Sequence, residues 1–91
     1  MRVVIIWRED SEYGREVSEW LHEFKRRTGK DLESLSPDDP DGESLAQAYD
    51  VTNYPAILAI SDDGGKLQQS WIGMEPSLPR IDDVNYCLIE Q

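Results

Sequence analysis

Few side chains in this sequence could carry out covalent or acid–base chemistry, and they are scattered. There is one cysteine, Cys87, and one histidine, His22. Thiol–disulfide exchange and soft-metal binding both need clustered thiol or imidazole groups, so neither is expected. Nucleophilic catalysis by Ser11 would need a base oriented by a third group. Asp10 adjoins Ser11, but His22 falls about three turns along the same helix, on its solvent side, so no triad is expected. The run Asp38-Asp39-Pro40-Asp41-Gly42-Glu43 has the look of a calcium loop. Its best register, however, puts Pro37 at the first ligand and Ala48 at the closing glutamate, and a turn with Asp41 capping the next helix explains it better. No catalytic residue, metal or cofactor is assigned, and enzymatic activity is the less favoured reading. Cys87, on a terminal helix without a second cysteine, is read as a small core residue.

Ser11 suits two roles. Its hydroxyl can cap the first helix, which is worth about 1 kcal/mol. Alternatively, Ser11 at the helix N-terminus can hold an anion, with Tyr13 close by and Arg8 and Arg15 available for carboxylates. Capping is the expected role.

The surroundings bound the partners. Acidic residues outnumber basic ones 19 to 9, for a formal charge of −10, which repels phosphate backbones and anionic membranes. No nucleic acid and no membrane partner is expected; a basic protein partner is compatible. The 91 residues suffice for one small domain, residues 1–91, and 38% apolar content suits a soluble chain. No stretch reaches the ~20 apolar residues of a membrane span. Met1 to Trp7 is too short for a secretory core and is interrupted by Arg8-Glu9-Asp10, so a cytoplasmic location is expected.

The elements that would position these residues follow from periodicity. Val3 to Trp7 and Ala56 to Ile60 are apolar without alternation, the mark of strands covered on both faces. Between them, Ser11 to Thr28 reads as a helix whose stripe is Val17, Trp20, Leu21 and Phe24, with Lys25-Arg26-Arg27 and Gly29 at its end. Asp31 to Ser36 reads as a weak strand, parallel to the first, and Glu43 to Tyr49 as a short helix. Asp62 to Gly65 is a hairpin turn leading into Leu67 to Ile72, where a period of two puts Leu67 and Trp71 on one face. A loop from Gly73 to Pro79 and a helix carrying Ile81, Val84 and Leu88 complete the order βαβ-α-ββα.

That order, and the run from Tyr49 to Leu58 with Tyr54-Pro55 ahead of a strand, resembles the thioredoxin-like superfamily. Trp7 stands before Ser11 as a tryptophan stands before the first cysteine of thioredoxins, and Arg15 takes the place of a lysine after the motif. The separation of Pro55 from Ser11, the Gly64-Gly65 hairpin and Gly73 are also similar to the family's pattern. The resemblance implies an α/β fold with a four-stranded mixed sheet flanked by helices and a cis peptide at Pro55. It further implies that Ser11-Glu12-Tyr13-Gly14 occupies the Cys-x-x-Cys position, with both cysteines replaced, and that Ile5 replaces the family's buried acid. A redox-inactive member is therefore expected.

The same resemblance places a substrate groove at the cis-proline. The site residues expected there are Ser11, Tyr13, Tyr54, Pro55 and Met74, with an extended peptide or protein segment docking beside them by strand addition. Tyr13 and Tyr54 are expected to be exposed, and Trp7 and Trp71 to be core. Two further readings compete: a glutathione-like thiol held at Ser11, and a structural role as a homodimer. A monomer or weak homodimer is expected.

Overall fold

A computed structural model describes residues 1–74 and 77–89 of the chain. Seven elements run in the order β1 (Arg2–Ile6), α1 (Gly14–Thr28), β2 (Glu33–Leu35), α2 (Pro40–Ala48), β3 (Ala56–Ile60), β4 (Leu67–Ile72) and α3 (Ile81–Ile89). The four strands form one mixed sheet in the order β2-β1-β3-β4. β1 pairs parallel with β2 and antiparallel with β3, and β4 is antiparallel to β3. Among the described residues, no helix is long and apolar enough to cross a membrane.

The unbroken apolar runs of β1 and β3 reflect two cores, one on each face of the sheet. Val3, Ile5, Trp7, Ile57 and Ala59 point to one face, where Val17 and Phe24 of α1 and Ile81 and Val84 of α3 cover them. Val4, Ile6, Ala56, Leu58 and Ile60 point to the other, beneath Ala46 of α2 and Val51. The α1 stripe is as expected: Val17 and Phe24 are fully buried, and Trp20 and Leu21 pack at the edge. Trp20 stacks on Phe24 with ring centroids 5.4 Å apart and donates its indole N–H to the Pro79 carbonyl at 2.9 Å. This bond joins α1 to the segment that leads into α3. Gly29, at φ 74°, ends α1 with a bond from its N–H to the Lys25 carbonyl, a left-handed close that glycine adopts without a Cβ clash.

Helix starts differ from expectation. α1 begins at Gly14 rather than Ser11, with Tyr13 at the N-cap and no side-chain cap. α2 begins at Pro40, not Glu43, and its N-cap is Asp39 rather than Asp41, again without a side-chain bond. Proline fits the first helical position because its fixed φ is already helical and its missing N–H has no partner there. β2 is also shorter than the expected Asp31 to Ser36, although Leu32 and Leu35 still anchor opposite faces. The expected Gly73 to Pro79 loop includes residues 75 and 76, which lie outside the described residues.

The pairing of β4 corrects a second point. Ala59 opposes Gln69 but Ile60 opposes Leu67, so Gln68 is an extra, bulged residue. A bulge shifts the alternation by one. Leu67 therefore shares a face with Ile60, while Trp71 shares the opposite face with Ile57. The two do not lie on one face.

Candidate functional site

The end of β1, the turn into α1 and the approach to β3 converge at one edge of the two cores. The Tyr54–Pro55 peptide is cis, and Pro55 is fully buried. The Pro55 carbonyl accepts a bond of 2.8 Å from the Gly73 N–H, which brings the start of the Met74 loop beside it. Among the described residues Tyr54, just ahead of β3, makes no backbone–backbone hydrogen bond.

Arg8 organises the neighbourhood. Its guanidinium carbon lies 5.3 Å from the centre of the Tyr54 ring, a cation–π placement. The same group pairs with both Asp38 oxygens, at 3.0 and 3.2 Å. Hydrogen bonding to Asp38 raises the Arg8 pKa, and the same bonding lowers that of Asp38, so both stay charged across the ordinary range. The backbone carbonyl of Arg8 is held in turn by the Ser11 hydroxyl, which donates to it at 2.6 Å. Ser11 thus closes the Arg8–Ser11 turn instead of capping α1. Arg15 is 90% exposed and pairs along the helix with Glu19, away from Ser11.

Gly14 explains the shape of this turn. It is buried, and a Cβ built on it would lie 2.1 Å from the Glu9 carbonyl oxygen. The first turn of α1 sits against the backbone of Arg8 and Glu9 at a distance open only to glycine. At Gly14 the chain path excludes any side chain.

The expected site residues divide into two groups. Ser11 and Tyr54 are linked through Arg8, which was not expected at the groove, and Pro55 and Met74 are joined through Gly73. Tyr13 and Met74 pack against the core beneath α1 and α3, whereas Tyr54 packs against the core beneath α2. Tyr13 and Tyr54 are half-buried, not exposed: each lays one side of its ring on a core edge. The Tyr54 hydroxyl donates to the Val51 carbonyl at 3.4 Å, which holds the ring toward α2. Trp7 is buried, as expected, whereas Trp71 is half-buried and packs against the core rather than within it.

Sequence reasoning missed the link between Arg8 and Asp38. These residues come together only because β1 and β2 are neighbours, and no local spacing announces it. Beside them lies an open depression of about 550 Å³, lined by Arg8, Asp10, Ser34, Ser36, Asp38 and Asp39 among others. Asp38 neutralises Arg8, and neither Asp10 nor Asp39 has an ion-pair partner among the described residues, so the depression is acidic. Elsewhere, Cys87 is half-buried at the core edge; burial, and then the nearby Asp83 carboxylate, push its thiol pKa up and disfavour the reactive thiolate. His22 is exposed on α1.

No protein-family model matches the chain, and no curated protein sequence matches it. Solved structures do. A malarial protein aligns with a TM-score of 0.61 at 16% identity, covering 94% of this chain and 90% of that one. A thioredoxin from Thermus thermophilus aligns with a TM-score of 0.60 at 19% identity, covering 94% of this chain and 69% of that one. At such identities the likeness speaks to the fold alone. The chain has a thioredoxin-like fold, with a four-stranded mixed sheet and three helices.

Proposed function

We propose that this chain is a redox-inactive thioredoxin-like protein, a single unit of the minimal βαβ-α-ββα core, that binds an extended peptide or protein segment beside Pro55. The observation that carries the reading is the Tyr54 backbone, which has no backbone partner among the described residues, next to the buried cis-proline. An extended segment can pair with those groups by strand addition, while the Tyr54 and Tyr13 rings and Met74 supply apolar anchors. The acidic depression beyond Arg8 favours a segment with basic residues on that flank. Thiol exchange has no support, because Ser11 and Gly14 stand at the motif positions and the Cys87 thiol is held protonated. In an insulin-reduction assay the protein is expected to show no turnover above the uncatalysed rate; thioredoxin-like turnover would overturn the redox-inactive assignment.

The binding role is tested by selecting peptides from a random displayed library and measuring their affinities by calorimetry. Tyr54→Ala is expected to weaken the selected peptides by roughly 1–2 kcal/mol, as loss of an aromatic anchor does. Tyr54→Phe, which keeps the ring on its core edge and on Arg8, is expected to retain affinity. Equal affinity for wild type and Tyr54→Ala would move the binding site elsewhere.

A further inference from the structure

The sheet has two edges, and they are built differently. β2 spans three residues and carries Glu33, which Arg2 grips with bonds of 2.8 and 2.7 Å. β4 spans six residues, Leu67-Gln68-Gln69-Ser70-Trp71-Ile72, and among the described residues pairs only with β3. In a chain where 31% of residues are charged, this strand holds no charge and no proline. Proteins blunt exposed edges with charges, prolines, short strands or bulges, and β4 has only the bulge at Gln68.

That bulge gives the strand a pattern complementary to itself. It places Leu67, Ser70 and Ile72 on the α2 face of the sheet, where Leu67 is 40% and Ile72 41% exposed. We propose that a second copy of this chain pairs with the outer edge of β4, antiparallel, about a two-fold axis through Ser70. In this register Gln69 opposes the partner's Trp71 on the α3 face. On the other face Ile72 opposes the partner's Leu67, because the bulged Gln68 drops out of the count. Both exposed aliphatic side chains gain a cross-strand neighbour, and the two sheets join into one. A neutral strand offers nothing to a basic segment, which separates this surface from the Tyr54 groove.

Charge sets the conditions. Each copy carries −10, so long-range repulsion opposes association at low ionic strength and salt relieves it. One strand edge covers less than the roughly 1,000 Å² of a stable interface, so the dimer is transient and fills only toward roughly millimolar concentration.

Sedimentation equilibrium on the full chain tests this, from about 20 µM to about 1 mM protein, in about 20 mM and about 500 mM salt. The expected result is a monomer–dimer equilibrium at least threefold tighter in the higher salt. Ser70→Lys sets two like charges opposite each other on the axis and is expected to weaken it at least tenfold, although it lowers the overall negative charge. Ile72→Thr keeps strand propensity, removes the apolar contact and is expected to weaken it severalfold. Tyr54→Ala is expected to leave it unchanged. A monomer at every concentration in both salts would overturn the proposal. So would association that salt weakens, or that both Ser70→Lys and Ile72→Thr leave intact.

Discussion

Gly14→Ala is expected to lower unfolding free energy by roughly 2–4 kcal/mol, read from the shift of a urea unfolding midpoint. Helix propensity alone predicts the opposite sign, since alanine exceeds glycine by about 1 kcal/mol within a helix. The difference lies in clearance. An alanine Cβ at this position would meet the Glu9 carbonyl oxygen at 2.1 Å and its carbon at 2.9 Å, and both atoms are backbone. Relief requires moving the turn away from α1, and with it the Arg8 carbonyl bonded to Ser11. Gly42 in α2 is a second case, with a Cβ 1.9 Å from the Ser36 carbonyl oxygen, and Gly42→Ala is expected to behave likewise. A stabilised or unchanged Gly14→Ala variant would show that the turn is not held as described. The same clash means that introducing a cysteine pair, by Ser11→Cys with Gly14→Cys, is expected to destabilise the protein rather than create a working redox pair.

Phe24→Ala is expected to cost more, roughly 3–5 kcal/mol, a large share of the roughly 5–15 kcal/mol that holds a small domain folded. Phe24 is fully buried at the centre of the core beneath α1 and α3, and its ring stacks on Trp20. Truncation leaves a cavity between α1 and the sheet and removes the support for Trp20, whose indole N–H reaches Pro79. Thermal and urea unfolding both read this change. A loss below about 1 kcal/mol would mean that the core collapses freely around the gap.

What could be read from the sequence, and what could not, follows from the range of the forces involved. β1, β3 and the α1 stripe were legible because burial on one or two faces imposes a period on the chain. Ser11 and Asp41 looked like caps because serine and aspartate before an apolar stretch usually are. The actual starts were set by Gly14 fitting beneath the Glu9 carbonyl and by Pro40 at the first helical position, which are matters of packing and backbone angle. The face of Leu67 was misread because a single bulged residue, Gln68, leaves no mark in composition yet reverses the alternation behind it. At the candidate site, Tyr54-Pro55 was visible as a pair with its own geometry. Arg8 and Asp38 were not, since their contact is created by β1 and β2 lying side by side. The half-burial of Tyr13 and Tyr54 likewise depends on two cores ending at this edge.

The binding role is tested most directly by an NMR titration of the isotope-labelled protein with a library-selected peptide, at concentrations well below those that favour self-association. The predicted result is a set of amide shifts centred on Tyr54 and Ala56, extending to Tyr13, Gly73 and Met74. Asp62 and Asp63 on the hairpin would stay in place. Shifts confined to the hairpin, β4 or α3, with Tyr13, Tyr54 and Met74 unmoved, would contradict the groove and place recognition on another surface.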